Sequence, residues 1–233
     1  MERLHNGFTL DIPNGSFPLS TDSMLLADFV LPLKSERVLD LGSGCGTLGV
    51  LLCAGSSSCQ VDGIELTGSS HEAALRNIER NGLQGRMTSI CADLRDIAQS
   101  IRPGSYSCCI SNPPYFSGGP ASTENPLARR DDSCTPQQLF QAAAWALKYG
   151  GDFYIVHKPE KLAQLCACAV NAGLEPKRLR LVRHRADKPV MLILLQCRKG
   201  GKPGLVWEEN FLQNADGSPS EYFHRVYHTG ISL

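Results

Sequence analysis

Long apolar runs are missing from this sequence of 233 residues. No run reaches the roughly 18–20 residues that a helix needs to cross a bilayer, so no membrane-spanning helix is expected. The start, Met1–Gly7, is polar and lacks the apolar segment of a secretory signal, so we expect a cytoplasmic protein. Internal repeats and low-complexity tracts are also missing. With 42% hydrophobic residues the chain can bury a core, which argues against wholesale disorder.

An excess of charge of one sign is missing as well, because 23 basic residues balance 23 acidic ones. The balance hides an asymmetry, since residues 158–202 hold 11 basic and 3 acidic side chains. The richest basic stretch contains Lys177, Arg178, Arg180, Arg183, Arg185 and Lys188. These residues could guard the open edge of a sheet, or they could hold the phosphates of an RNA; we favour the second interpretation.

Metal-ligand spacing is lacking although the chain has 10 cysteines. Cys108 and Cys109 are adjacent, and Cys166 and Cys168 have one residue between them, which does not fit a paired zinc knuckle. We therefore predict no metal site. The thiols, including Cys45, are interpreted as small buried side chains in a reducing compartment.

Short runs rich in Val, Ile and Leu alternate with stretches of helical periodicity, which predicts a parallel sheet with helices on both faces. The predicted strands are Arg37–Leu41, Gln60–Glu65, Met87–Ala92, Ser107–Ser111, Asp152–His157, Arg178–Arg183 and Val190–Cys197. The predicted helices are Thr21–Val30 with Ser20 as its cap, Thr47–Ala54, His71–Asn81, Thr135–Leu147 and Glu160–Asn171. The last two strands lack a crossover helix and must form an antiparallel hairpin. We expect a single domain with an N-terminal extension (1–35), a core (36–198) and a packed C-terminal extension (199–233).

A glycine-rich turn, Asp40-Leu-Gly-Ser-Gly-Cys-Gly46, follows the first strand of the core. Gly42, Gly44 and Gly46 let the backbone turn tightly and approach a ligand closely. Glu65 ends the next strand, where doubly wound folds accept hydrogen bonds from ribose hydroxyls. The Asp40 carboxylate would repel a pyrophosphate, but it suits a cationic ammonium group. This pattern favours S-adenosylmethionine over a dinucleotide.

Asp93 comes directly after the third predicted strand of the core, near where an adenine ring would lie. Its carboxylate could accept a hydrogen bond from the exocyclic amine of the cofactor. A lone Asp at the end of a strand could equally cap a helix, and the residues alone do not decide between the two roles.

The fourth predicted strand of the core ends in Ser111-Asn-Pro-Pro-Tyr-Phe116, at the edge of the sheet where ligands bind. Methyl transfer to a planar amine requires the nitrogen lone pair to be turned toward the methyl group. The Asn112 side-chain oxygen and the Pro113 carbonyl could accept the two N–H bonds, and the fixed φ of proline makes that carbonyl rigid. Tyr115 could stack on the target base. Such catalysis is positioning and electrostatics, without a metal or a covalent nucleophile.

Together the two motifs, Asp40–Gly46 and Asn112–Tyr115, resemble those of the Rossmann-like amino-methyltransferases that depend on S-adenosylmethionine. A closer resemblance, from about Gly7 to Tyr227, is to the tRNA1(Val) adenine-37 N6-methyltransferase family. The segments that carry it are Phe17–Phe29, Asn112–Phe116, Ala128-Arg129, Val156–Pro159 and Gly173–Leu179.

This resemblance implies an α/β class I methyltransferase fold with seven mostly parallel strands in the order 3-2-1-4-5-7-6, strand 7 being antiparallel. It implies S-adenosyl-L-methionine as cofactor and a tRNA substrate, most specifically adenine 37 of tRNA1(Val). The sequence itself indicates neither a membrane partner nor an obligate protein partner. The motifs and the resemblance together assign cofactor binding to Thr21, Asp22, Asp40, Gly42, Gly44, Gly46, Glu65, Leu66, Asp93, Leu94 and Asn112. The catalytic residues are Asn112, Pro113, Pro114 and Tyr115. The residues assigned to the substrate are Tyr115, Phe116, Arg129, Lys177, Arg178 and Arg180.

The chain departs from the family at Arg130 and Asp131, where the family has His and Glu, and at Pro189, where it has a small residue. These departures weaken the assignment of the target more than that of the chemistry. One alternative is a glutamine N5-methyltransferase acting on protein, which usually carries a helical domain before the sheet. Others are a module that binds the cofactor without turnover, and an enzyme acting on rRNA or DNA. The intact Asn112–Tyr115 motif argues against the binding module.

Overall fold

A mixed sheet of eight strands is the centre of the fold in the computed structural model, which describes residues 2–4, 7–12, 19–31, 37–114 and 134–227. The strands are β1 (Glu2–Arg3), β2 (Thr9–Leu10), β3 (Arg37–Leu41), β4 (Gln60–Glu65), β5 (Met87–Cys91), β6 (Tyr106–Ser111), β7 (Leu147–His157), β8 (Leu174–Arg183), β9 (Val190–Lys199) and β10 (Val206–Phe211). The helices are α1 (Thr21–Val30), α2 (Thr47–Gly55), α3 (Gly68–Arg80), α4 (Ile97–Ser100), α5 (Pro136–Ala146), α6 (Leu162–Asn171) and α7 (Glu221–Tyr227). Within these ranges, no helix combines the length and apolar character that crossing a membrane requires.

The sheet runs in the order β5-β4-β3-β6-β7-β9-β8-β10, and β1 pairs with β2 in a separate small hairpin. Strands β3 to β7 are parallel to one another, and β9 is antiparallel to both β7 and β8. The expected α/β architecture with a mostly parallel sheet is confirmed. The strand count of seven is wrong, because β10 adds an eighth strand in parallel register with β8, from Val206 opposite Arg178 to Phe211 opposite Arg183.

Both β10 and α7 lie in the segment that was expected to be a packed extension. The sequence of β10, Val-Trp-Glu-Glu-Asn-Phe, contains Glu and Asn residues that disfavour strands, and its pairing with β8 outweighs that local preference. The boundary expected at residue 198 falls inside β9. The chain beyond it therefore continues the same sheet, and α7 packs against both α1 and β10.

Alternation along the strands supplies a core on each face of the sheet. Val38 and Cys108 join the apolar cluster under α1 and α2, while their neighbours Leu39 and Cys109 join the cluster under α5 and α6. Helix α1 begins where the sequence predicted, with the Ser20 hydroxyl accepting the Ser23 N–H at 3.4 Å. This cap fixes the start of the helix next to the carboxyl ends of the strands.

One edge of the sheet collects the carboxyl ends of the parallel strands. Leu41, Glu65, Ser111 and His157 end β3, β4, β6 and β7 there. Because β8 and β10 run parallel to β7, their last residues lie at the same edge. Ligands bind at this edge in open α/β sheets, which makes it the place to look for a site.

Candidate functional site

The glycine loop between β3 and α2 turns over the end of β4. The N–H groups of Gly42 and Ser43 both donate to the Ile64 carbonyl at 2.9 Å. Gly42, Gly44 and Gly46 have φ values of +76°, +56° and +83°, which side chains with a Cβ rarely adopt. A Cβ at Gly42 or Gly44 would meet no protein atom within 4 Å, so both face open space where a ligand can approach the backbone.

The Glu65 carboxylate holds this loop in place at the end of β4. Its Oε2 accepts the Gly44 N–H at 2.9 Å, and its Oε1 accepts the Thr67 N–H at 2.8 Å. A carboxylate has about four lone-pair sites, so these two bonds leave capacity for further donors. Glu65 thus shapes the loop and, as predicted from the sequence, stands next to it with the capacity to accept ribose hydroxyls.

Asp40 is the most unusual polar group of the site. It is 1% exposed, and neither carboxyl oxygen has a hydrogen-bond partner among the residues that the structure describes. Burial, together with the nearby negative charge of Glu65, raises the pKa of Asp40 to about 8. A buried carboxylate without a partner beside a ligand loop fits a cationic group such as the ammonium of an amino-acid moiety.

The amide of Asn112 lies just beyond β6, close to the glycine loop. The Ser111 hydroxyl donates to the Leu41 carbonyl at 2.7 Å, which ties the end of β6 to the end of β3. The Nδ2 of Asn112 donates to the Ser23 Oγ on α1 at 3.0 Å. With Nδ2 engaged in this way, Oδ1 is the atom that can accept a hydrogen from a substrate. Pro113 is buried and Pro114 is exposed.

The start of α1 borders the same edge. Asp22 is half-buried, and burial raises its pKa while the positive charge of Lys158 opposes that shift. The Tyr227 hydroxyl of α7 donates to the Oγ1 of Thr21 at 2.8 Å. His157, at the end of β7, is buried, and burial lowers its pKa. The Tyr227 bond thus connects α7 to Thr21, which the sequence resemblance assigns to the cofactor.

Asp93 takes the capping role that the sequence left open. Its carboxylate accepts the Arg95 N–H at 2.8 Å and forms an ion pair with the Arg95 guanidinium, which lowers the pKa of Asp93. Asp93 and Leu94 are both half-buried. Leu66 is 50% exposed directly after β4, which suits an apolar cover for a ring. Contact of these three residues with the cofactor stays a prediction.

The arginines assigned to the substrate lie in an internal ion-pair network. Arg180 is 9% exposed and donates to Asp28 at 2.7 Å and to Glu208 at 2.8 Å. The Arg178 guanidinium lies 4.0 Å from the centre of the Phe29 ring and 3.2 Å from Glu208. Arg180 is thus engaged by partners inside the fold, whereas the Arg178 side chain is 31% exposed. Contact of either arginine with the substrate stays a prediction.

The remaining substrate assignments divide into two groups. Tyr115, Phe116 and Arg129 lie outside the described residues. Lys177 is half-buried, and its Nζ donates to the Lys202 carbonyl at 2.8 Å near the amino end of β8. That end is opposite the glycine loop, so Lys177 is not brought together with Asn112.

Two supporting residues were missed in the sequence, Ser23 and Asn77. Asn77 is fully buried in α3; its Oδ1 accepts the Asp11 N–H at 2.7 Å, and its Nδ2 donates to the Cys45 carbonyl of the glycine loop at 3.0 Å. A polar residue next to Ile78 on the apolar face of a predicted helix is the signal that could have identified it. Ser23 had no such signal, because serines are common near helix starts.

No cluster of metal ligands occurs in the part of the chain that the structure describes. Each of the cysteines is a free thiol. Burial raises the pKa of Cys45, which makes it a poor nucleophile despite its place in the glycine loop.

Comparison with known proteins agrees with this geometry. Residues 19–165 match the methyltransferase small domain family. The tRNA1(Val) (adenine(37)-N6)-methyltransferase of Dickeya chrysanthemi is 32% identical over 188 residues, which cover 79% of this chain and 74% of the relative. The protein of the same name from Bacteroides fragilis is 29% identical over 185 residues, covering 78% and 77%.

A solved structure supports the fold. A predicted O-methyltransferase of Agrobacterium tumefaciens has a TM-score of 0.75 and 18% identity, covering 89% of this chain and 95% of the other. The loop facing open space, the unpartnered carboxylate of Asp40 and the spare acceptor capacity of Glu65 fit the cofactor of such enzymes. The chain therefore belongs to the methyltransferase small domain family, and it is a methyltransferase that uses S-adenosyl-L-methionine.

Proposed function

We propose that this methyltransferase modifies the N6 amine of an adenine in tRNA, and most specifically adenine 37 of tRNA1(Val). The relatives at 29% and 32% identity that carry this name support the proposal. On this proposal the chain works as a single domain in the cytoplasm, with tRNA as its partner and without an obligate protein partner.

The observation that carries the proposal is the fixed amide of Asn112 beside the glycine loop. Its Nδ2 is engaged by Ser23 at 3.0 Å, and the Ser111 bond to the Leu41 carbonyl holds the end of β6 beside β3. A hydrogen-bond acceptor is thereby available next to the loop that would hold the cofactor. A planar amine, such as adenine N6, needs this arrangement more than a hydroxyl substrate does.

The chemical difficulty of the reaction is the lone pair of N6, which is delocalised into the adenine ring. Asn112 Oδ1 would accept one N6–H and the Pro113 carbonyl the other, turning the lone pair out of conjugation. Bound S-adenosyl-L-methionine supplies an electrophilic methyl group. As N6 gains positive charge, the two oxygens would stabilise it without reorganising, and the surplus proton would leave to water. Tyr115 would stack on the base, which is worth about 1–3 kcal/mol.

The other protein side chains would bind and orient the cofactor. Asp40 would face the ammonium of its methionine end, together with Thr21 and Asp22 of α1. Glu65 would accept from the ribose hydroxyls. Leu66, Asp93 and Leu94 would line the adenine.

The surface that meets the tRNA needs cations at the same edge as Asn112. Arg183 ends β8 there, and Arg185 and Lys188 lie in the turn to β9. Lys188 is exposed, and Arg185 pairs with Asp187 at 2.6 Å on the surface. Phosphates can replace such exposed partners, because surface ion pairs are weak. We propose this turn, residues 183–188, in place of Arg178 and Arg180 as the phosphate-binding part of the basic stretch.

The test is methyl transfer from labelled S-adenosyl-L-methionine to separate pools of unmodified tRNA, rRNA and soluble protein. The products are digested and identified by mass spectrometry, with Asn112→Ala as the control enzyme. We expect N6-methyladenosine in the tRNA pool and its loss with the control. Methylglutamine in the protein pool together with unlabelled RNA would reject the proposal and identify a protein methyltransferase, whereas label in rRNA would correct the substrate.

A further inference from the structure

Ser23 is a polar residue in an otherwise apolar stretch of α1. It is 5% exposed and is followed by the buried Met24, Leu25 and Leu26. A buried hydroxyl without a hydrogen bond is costly, so its partners explain why it is tolerated. Those partners are Asn112 and Ser20.

The contacts of Ser23 form a chain with a definite direction. The Asn112 Nδ2 can only donate, so Ser23 Oγ accepts from it at 3.0 Å. The Ser20 Oγ lies 3.5 Å from Ser23 Oγ and already accepts the Ser23 backbone N–H. If Ser23 passes its own hydrogen to the second lone pair of Ser20, both hydrogens that link the three side chains have an acceptor. The direction is then Asn112 to Ser23 to Ser20, which ends at the cap of α1.

The direction matters because a primary amide has two ends of similar shape and opposite hydrogen-bonding character. An amine substrate needs an acceptor. If the amide turned over, Nδ2 would face the N–H groups of the substrate, and donor would meet donor. Ser23 gives Nδ2 a partner inside the protein, so the amide keeps Oδ1 as its substrate-facing group before the substrate arrives.

We propose that Ser23 is a positioning residue for methyl transfer, which orients the Asn112 amide so that its oxygen receives the amine hydrogen. The inference rests on the proposed function in that Asn112 acts on a planar nitrogen. It also links two segments distant in sequence, since Ser23 belongs to the helix that begins with the cofactor-assigned Thr21 and Asp22.

The first test uses Ser23→Ala in the natural background. We expect kcat to fall about tenfold, because one neutral hydrogen bond sets the orientation of the amide. The affinity for S-adenosyl-L-methionine in calorimetry and the KM for the methyl acceptor should change by less than about twofold, since Ser23 acts only through Asn112. An unchanged kcat overturns the proposal.

The second test separates orientation from a general disturbance of α1. Asn112→Asp replaces the amide by a carboxylate, whose two ends are both acceptors and need no orienting. Adding Ser23→Ala to Asn112→Asp should lower kcat by less than about threefold, well short of the loss in the natural background. Equal losses in both backgrounds would mean that Ser23 supports α1 structurally, and the proposal would be wrong.

A third measurement does not depend on the substrate. In a 1H–15N spectrum the side-chain amide of Asn112 is assigned by its loss in Asn112→Asp. We expect one of its two hydrogens to exchange slowly with solvent in the natural protein and quickly in Ser23→Ala. Equal exchange rates in both proteins overturn the proposal.

The methyl-transfer tests are run on whichever of the three pools, tRNA, rRNA or soluble protein, accepts the label. Methylation of protein instead of tRNA therefore rejects the proposed function while still testing Ser23.

Discussion

Two halves of the sheet use their charged residues in opposite ways. In the cofactor half, made of β3 to β6 with their loops, the buried Asp40 carboxyl has no hydrogen-bond partner within the described part of the chain. The C-terminal half, made of β8 to β10 and α7, pairs Arg180 with both Asp28 and Glu208. Arg225 of α7 adds a further bond to Asp28 at 2.9 Å. The charged group in the first half is therefore available to a ligand. The charged groups in the second half are balanced by other side chains of the same chain.

The difference teaches how a charged residue should be interpreted before a structure exists. In the cofactor half the signal was carried by glycines, whose positive φ values are a local backbone requirement. In the C-terminal half the signal was a count of basic residues, which does not reveal whether a charge binds a ligand or another part of the chain. Variants in each half can test whether its charged residues bind a ligand or another part of the chain.

The largest effect should come from Asn112→Ala. We expect kcat to fall by about 10²–10³-fold, because the variant removes an acceptor that matters most as charge develops in the transition state. Binding of S-adenosyl-L-methionine, followed by calorimetry, should stay within about twofold because Ser23 and the glycine loop remain. Asn210→Ala is the matched control in the C-terminal half and should leave both quantities unchanged. Turnover at the natural rate in Asn112→Ala would contradict the positioning mechanism.

In the C-terminal half the largest effect should be on stability. Arg180→Ala removes the buried guanidinium that joins Asp28 to Glu208 and leaves them their outer partners Arg225 and Arg178. Because two charge-assisted hydrogen bonds are lost, we expect the free energy of unfolding to fall by about 3 kcal/mol. Arg183→Ala is the control, since its bond to Glu209 is at the surface, and it should cost less than about 1 kcal/mol. Chemical denaturation of both variants measures the difference. Equal stabilities, with weaker tRNA binding by Arg180→Ala, would restore Arg180 to the RNA-binding surface.

Asp40 should make the stability of the free enzyme depend on pH. Its pKa is raised to about 8 in the folded protein, whereas an Asp in an unfolded chain titrates near its usual value of 3.8. Between these two values the folded state keeps a proton that the unfolded state has lost. Stability therefore falls as pH rises toward about 8 and levels off above it.

The variant that tests this dependence is Asp40→Asn, which keeps the shape and removes the titration. Its melting temperature should exceed that of the natural protein by an amount that grows from pH 5 to pH 8.5, while its affinity for S-adenosyl-L-methionine should fall. Parallel melting curves over this pH range would show that Asp40 is already ionised in the free enzyme.

The parts of the fold that could be predicted are those set by local sequence. Nearby residues predict the strand before the glycine loop and the capped start of α1. They also predict that Glu65 lies next to Gly44 at the end of the following strand. The glycine loop and Glu65 of the candidate site came from the same signals. The link between Ser111 and Leu41 could not be foreseen, because it joins residues 70 apart in the chain.

The parts that could not be predicted depend on long-range pairing. Arg180 and Asp28 are 152 residues apart, and nothing near either one indicates the other. Strand β10 exists because β8 offers it an edge, not because Glu208 and Glu209 favour a strand. The Ser23 to Asn112 bond spans 89 residues and depends on the packing of α1 beside the sheet.

The smallest effect should come from the turn between β8 and β9. Arg185→Ala combined with Lys188→Ala should weaken tRNA binding and reduce the slope of log affinity against log salt by about 2, one for each lost phosphate contact. Thermal stability should barely change, because both side chains are at the surface and their ion pairs with Asp187 are solvent-exposed. The matched double control combines Lys148→Ala with Lys202→Ala, which removes two cations from the opposite edge of the sheet and should leave the slope unchanged.

An equal change of the slope in both double variants would mean that tRNA binding depends on the total charge of the protein and not on this turn. The proposal that places the phosphate-binding surface at residues 183–188 would then fail, whereas the ion pairs of Arg180 with Asp28 and Glu208 would be unaffected.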